Sequence, residues 1–131
     1  MKISEKSIVA FEEACAELEI SSELPDVSKL RPDLGLYLTA HYMLAVLKEA
    51  EKEGKQYDIT NHSKDKWFPW HIADNVYVPG SSAGGFRFCV SDYAYGFTRV
   101  CARLCSNSEE ESDANAKNYP DLWEIITLIV K

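Results

Sequence analysis

Phe86-Arg87-Phe88-Cys89-Val90-Ser91, with Thr98-Arg99-Val100-Cys101-Ala102-Arg103-Leu104-Cys105 after it, decides the fold. In the first stretch Phe86, Phe88 and Val90 alternate with Arg87, Cys89 and Ser91. In the second, Thr98, Val100, Ala102 and Leu104 alternate with Arg99, Cys101, Arg103 and Cys105. A period of two marks strands with one buried face. Tyr93 to Gly96 would turn one strand back on the other, as a hairpin. Upstream, Trp67-Phe68-Pro69-Trp70-His71-Ile72 is a short apolar run. Its proline predicts an edge or irregular strand. Val76-Tyr77-Val78 is brief and stops at Pro79-Gly80. Residues 57–105 therefore read as a small, aromatic-rich antiparallel sheet.

Helical spacing surrounds this segment. Ile8, Phe11, Cys15 and Leu18 recur at three and four residues, with Glu12, Glu13, Glu17 and Glu19 opposite. The spacing predicts an amphipathic helix over residues 4–19. A turn at Ser21 to Asp26 precedes a second helix that opens near Pro32, a residue suited to a first turn. Leu34, Leu38, Ala40, Met43, Leu44, Leu47 and Ala50 give that helix a wide apolar arc, as a central helix needs, and Gly54 supplies its stop. Ser106-Asn107-Ser108-Glu109 has the form of a capping box. Ala116, Tyr119, Trp123, Ile126 and Val130 then continue at 3-4 spacing, and Pro120 must kink the helix or start a second one after Tyr119. The expected architecture is α+β in a single domain, residues 1–131, helical over 1–56 with a C-terminal helix over 106–131.

The chain has 131 residues, 46% of them hydrophobic, and a net charge of −7. That apolar content excludes disorder, and 6 Gly with 5 Pro exclude collagenous and low-complexity chains. Charge is uneven. Residues 1–58 carry −5, residues 59–105 carry +2 and residues 106–131 carry −4. The middle segment also holds nine of the 15 aromatics and three of the four arginines. Acidity thus belongs to the helical flanks. Duplex DNA is disfavoured as a partner, because phosphate affinity comes from Lys and Arg. No secretory signal opens the chain, and the longest apolar run, Leu34 to Leu47, is too short to span a bilayer. A cytoplasmic protein with reduced thiols is expected, without membrane contact.

Several constellations invite a chemical reading, each with a plainer alternative. Arg87, Arg99 and Arg103 would share one face of the hairpin, beside Trp67, Trp70, Tyr93 and Tyr95. Guanidinium planes and rings together suit stacked bases or phosphates. The plainer reading is the solvated outer face of a sheet packed on helices. Pro79 to Gly85 is a hairpin loop that ends in Gly84-Gly85 and would cover a ligand, but it lacks the Gly-Lys-Ser/Thr of a phosphate loop. Cys89, Cys101 and Cys105, with His71, offer a remote metal set. Residues four apart on a strand lie about 13 Å apart, too far for one tetrahedral ion, so no metal is expected. Ser81 or Ser82, His71 and Asp74 form a hydrolase triple only on paper, with no nucleophile elbow. Neither an enzyme nor a cofactor is expected.

Ala40-His41-Tyr42, Lys66-Trp67-Phe68-Pro69-Trp70, Gly85-Phe86-Arg87-Phe88, Arg103-Leu104-Cys105 with Ser108-Glu109, and Asp121-Leu122-Trp123 follow one another in that order. The series resembles a family of small uncharacterised proteins found in Bacteroidota and in their phages. That family shares a Tyr/Trp-x-Pro-Trp block, a Gly-Phe-x-Phe strand and an Arg-Leu-Cys-x-x-Ser-x-Glu junction. This chain departs from it at Ser106-Asn107 and at Pro120. The resemblance implies a phage or mobile-element accessory protein, acting in a bacterial cell or in a virion. The expected function is binding, through the Arg/aromatic hairpin, of a host or phage protein, a small anionic or nucleotide ligand, or single-stranded nucleic acid. The alternative is a virion or assembly component in which Trp67, Trp70 and Trp123 make subunit contacts, as a homo-oligomer.

Overall fold

The amphipathic spacing of Ile8, Phe11 and Cys15 folds as α1 (Glu5–Glu17) in a computed structural model that describes residues 2–54, 66–73, 86–94 and 102–127. Ser4 caps this helix, its Oγ accepting from the Ser7 amide at 3.2 Å. At the other end Ile20 N–H reaches back to Cys15 C=O and Glu19 N–H to Ala16 C=O. This is a Schellman stop, with Glu19 in the left-handed position at φ +57°. The second helix, α2 (Pro32–Glu51), has Pro32 in its first turn and ends in the same motif. There Glu53 takes the left-handed position and Gly54 follows at φ +79°. Gly35 lets α2 approach the preceding loop, since a Cβ there would lie 3.1 Å from the Val27 side chain.

The core forms around α2, which packs against both α1 and the last helix. Phe11, Ala14 and Cys15 of α1 meet Ala40, Met43, Leu44 and Leu47, and Leu104, Leu122, Trp123 and Ile125 complete the cluster. Their burial against α2 removes the apolar arc from water, at roughly 25 cal/mol per Å².

Two strands, β1 (Lys66–Ala73) and β2 (Phe86–Ala94), pair antiparallel, with Trp67 opposite Tyr93 and Trp70 opposite Val90. The observed class is α+β, as expected, but the pairing differs from the predicted hairpin. The partner of β2 is β1, and β2 runs on through Tyr93 and Ala94, where the turn was expected. Ala102–Leu104 is a 3-10 turn, and residues 95–101 lie outside the described residues. Alternation shows which face a residue takes but not which strand it pairs with. Register shifts between Trp70 and His71, where Cys89 is the extra residue. This bulge breaks the predicted series: Phe86 and Phe88 stay half-buried, whereas Val90 turns outward.

The C-terminal part docks on the sheet through a backbone bridge, Trp67 N–H to Ser106 C=O at 3.0 Å and Ser106 N–H to Trp67 C=O at 2.7 Å. Two helices follow, α3 (Glu109–Asn118) and α4 (Pro120–Thr127), the second of the two outcomes expected at Pro120 within the C-terminal helical segment. Pro120 starts the second, since it lacks the N–H that a continuing helix would need. The cap of α3 is Ser108, not Ser106. Ser108 Oγ accepts from the Glu111 amide at 3.2 Å and lies 3.1 Å from the Glu111 carboxylate. Asp121 at the head of α4 accepts from Ser4 N–H at 2.9 Å and from Ser7 Oγ at 2.8 Å, joining α1 to α4. Among the described residues no helix is long and apolar enough to cross a membrane.

Candidate functional site

Two arrangements stand out, one inside the protein and one on its surface. The inner one begins with Lys48, which lies one helical turn beyond Leu44 on the apolar side of α2 and is fully buried. Its ammonium donates to Ser106 Oγ and lies 3.7 Å from Glu51 Oε1. Ser106 Oγ in turn donates to Glu51 Oε2 at 2.8 Å. The ring of Trp123 lies 5.9 Å from the ammonium. Burial pushes the Lys48 pKa down to about 8, against the pull of Glu51. The same burial pushes the Glu51 carboxyl up and the Lys52 ammonium down. Lys52 Nζ donates to Arg103 C=O at 3.5 Å.

A lysine of lowered pKa beside a serine hydroxyl is a pairing that can activate a nucleophile. Here the hydroxyl accepts from the ammonium and donates to the carboxylate, and Ser106 is 0% exposed. The network joins α2 to the Ser106 junction. On the far side of Glu51 a groove of about 370 Å³ opens between α1, α2 and α3, with Glu13, Glu17 and Glu111 on its walls.

The outer arrangement is the sheet. Its inward face carries Trp67, Pro69 and His71 of β1 with Ser91 and Phe88 of β2. Ser91 Oγ bonds Ser112 Oγ of α3 at 2.8 Å, and Lys117 lies 5.6 Å from the Phe88 ring centroid. His71 stacks between Phe86 at 4.9 Å and Trp123 at 5.6 Å. Burial pushes its pKa down to about 4, and its Nε2 is buried without a hydrogen-bond partner among the described residues. The outward face carries Phe68, Trp70 and Ile72 with Arg87, Val90 and Asp92. Trp70 and Val90 are each 55% exposed and lie directly opposite one another, and Ile72 is 36% exposed beside Arg87.

This geometry divides the predicted surface. Trp67 and Tyr93 pair on the inward face with ring centroids 5.0 Å apart, Tyr93 at its exposed margin, whereas Trp70 and Arg87 lie on the outward face. Arg103 is exposed, but on the 3-10 turn and not on a strand beside Arg87. The predicted arginine stripe is therefore not formed by Arg87 and Arg103. Arg99, Tyr95, Gly84 and Gly85 lie outside the described residues, as do Cys101 and the triple's Ser81, Ser82 and Asp74. Of the remote metal set, Cys89 is exposed at the bulge, Cys105 is buried, and His71 is enclosed by rings on the inward face. Among the described residues no three His, Cys, Asp or Glu side chains come together as a metal site.

Sequence reasoning missed Lys48, Glu51 and Ser106. The signal was present, because Lys48 falls four residues after Leu44 and three before Glu51, on the buried side of α2. Compared with known proteins, the chain matches no family model, no curated protein and no solved structure.

Proposed function

We propose that this chain is a small non-enzymatic binding protein whose contact surface is the outward face of the β1–β2 sheet and whose partner is a protein. The observation that carries this reading is Trp70, more than half exposed and backed by Val90 and Ile72. Tryptophan and arginine are the residues that most often anchor interfaces, and Arg87 borders the same patch. The patch is apolar at its centre, which suits a protein partner. The nucleotide reading loses support because Arg103 is not on this face. A phage or mobile-element accessory role, inside a bacterial cell or in a virion, accords with such a protein and rests on the family resemblance. Ser106 of the Lys48–Ser106–Glu51 network is 0% exposed, which favours binding over catalysis.

The test places a photoreactive benzoylphenylalanine at Ile72, on the outward face, or at Val9, exposed on α1. Irradiation is expected to yield protein adducts from position 72 and not from position 9. Trp70→Glu is expected to remove them without changing the circular dichroism spectrum. Equal labelling from both positions, or none from position 72, would overturn the proposal.

A further inference from the structure

The outward face has a symmetry that names its partner. On β1, Phe68 and Ile72 flank Trp70 at equal distance. On β2, Asp92 and Arg87 flank the Cys89–Val90 bulge, which lies opposite Trp70. Apolar residues thus occupy the centre of the face, while a carboxylate and a guanidinium mark opposite ends of one strand. Arg87 and Asp92 are both exposed, and no ion pair joins either to another described residue. Among the described residues, Asp92 Oδ1 accepts from the adjacent Tyr93 amide, at 2.8 Å.

We infer that the outward face pairs with the same face of a second copy about a twofold axis, perpendicular to the strands and passing beside Trp70. This rests on the preceding reading that the face is the contact surface. A rotation about that axis reverses strand direction, so Arg87 of each copy meets Asp92 of the other. Phe68 meets Ile72, and the two Trp70 rings pack beside the axis. An axis along the strands would instead gather both Arg87 side chains at one end of the interface and both Asp92 at the other, which like charge disfavours. Self-complementarity of this kind is what a twofold interface requires. Two sheets packing face to face keep their strands within about 30° of each other, close enough to hold both charge pairs. A two-stranded face is smaller than a standard interface, so the association is of micromolar strength.

Sedimentation equilibrium from about 1 μM to about 1 mM covers that range. The expected result is a monomer of 14.8 kDa at the low end and twice that mass at the high end. Arg87→Asp and Asp92→Arg are each expected to raise the dissociation constant about tenfold, the loss of about 1.4 kcal/mol. The double variant, with the charges exchanged, is expected to return to within about threefold of the wild type. Trp70→Glu should be a folded monomer throughout, with folding checked by circular dichroism. A double variant as weak as the two single effects combined would overturn the twofold placement. A monomer at all concentrations, with adducts still formed from position 72, would overturn self-pairing and leave the contact face standing. A monomer that forms no adducts would remove both.

Discussion

A lysine ammonium moved from water into a protein interior loses several kcal/mol of hydration, which only close partners restore. Lys48 has the Glu51 carboxylate, the Ser106 hydroxyl and the Trp123 ring. The two members of the ion pair are unequal, because Glu51 keeps 15% of its side chain exposed and Lys48 none. Glu51→Gln strands a fully buried cation, with an expected cost of about 3 kcal/mol in urea unfolding at pH 7. Lys48→Met leaves a carboxylate that still reaches water through the groove, and the expected cost is about half as large. Equal losses would contradict this asymmetry. His71 sets a different dependence. Its folded pKa of about 4 lies below the ordinary 6.5, so the unfolded chain binds the proton first. Stability is full above pH 6.5 and falls as pH drops from 6.5 toward 4. His71→Phe keeps the stack with Phe86 and Trp123 and removes the orphaned nitrogen. Its urea midpoint is expected to exceed that of the wild type, by more at pH 5 than at pH 7.5.

At the scale of elements, α1, α2 and the break at Pro120 were legible because local chemistry dictates them: apolar spacing, a first-turn proline and a missing N–H. The edge character of Trp67 to Ile72 was legible for the same reason. What could not be read was which strand β2 pairs with. Phe86 to Ser91 and Thr98 to Leu104 alternate equally well, and the choice falls to β1 through contacts distant in sequence. The bulge at Cys89 was equally hidden, and it turns Val90 to the outside. The predicted arginine stripe is not formed by Arg87 and Arg103, because Arg103 lies on the 3-10 turn and Arg87 on the outward face of β2. Capping slipped by two residues, because Ser106-x-x-Glu109 and Ser108-x-x-Glu111 are both capping boxes by sequence. The backbone bridge to Trp67 takes Ser106 into the interior and leaves Ser108 to cap. Ser108→Ala is therefore expected to cost about 1 kcal/mol in thermal or urea unfolding. Glu109→Gln is expected to be neutral within about 0.5 kcal/mol.

Over the whole molecule, charge and hydrophobicity are separated. Acidic side chains cover α1 and α3, while the sheet presents Trp70, Val90 and Ile72 to solvent. The chain's net charge of −7 arises on the helical flanks, which carry −5 and −4, and a charge of that size opposes association through an apolar face. The Asp121 clamp on Ser4 and Ser7 joins the early and late helices of the chain. Pro69 matters at this scale as well. Trp67 directs its N–H and C=O away from β2, toward Ser106, and two residues on Pro69 faces the same way. The donor that proline lacks is thus missing from the strand edge opposite β2, in the most aromatic stretch of the chain. A foreign strand that sought to extend the sheet there would find a gap in the ladder. The apolar sheet face is thus carried beside a β1 edge that the proline ring makes a poor template for an added strand.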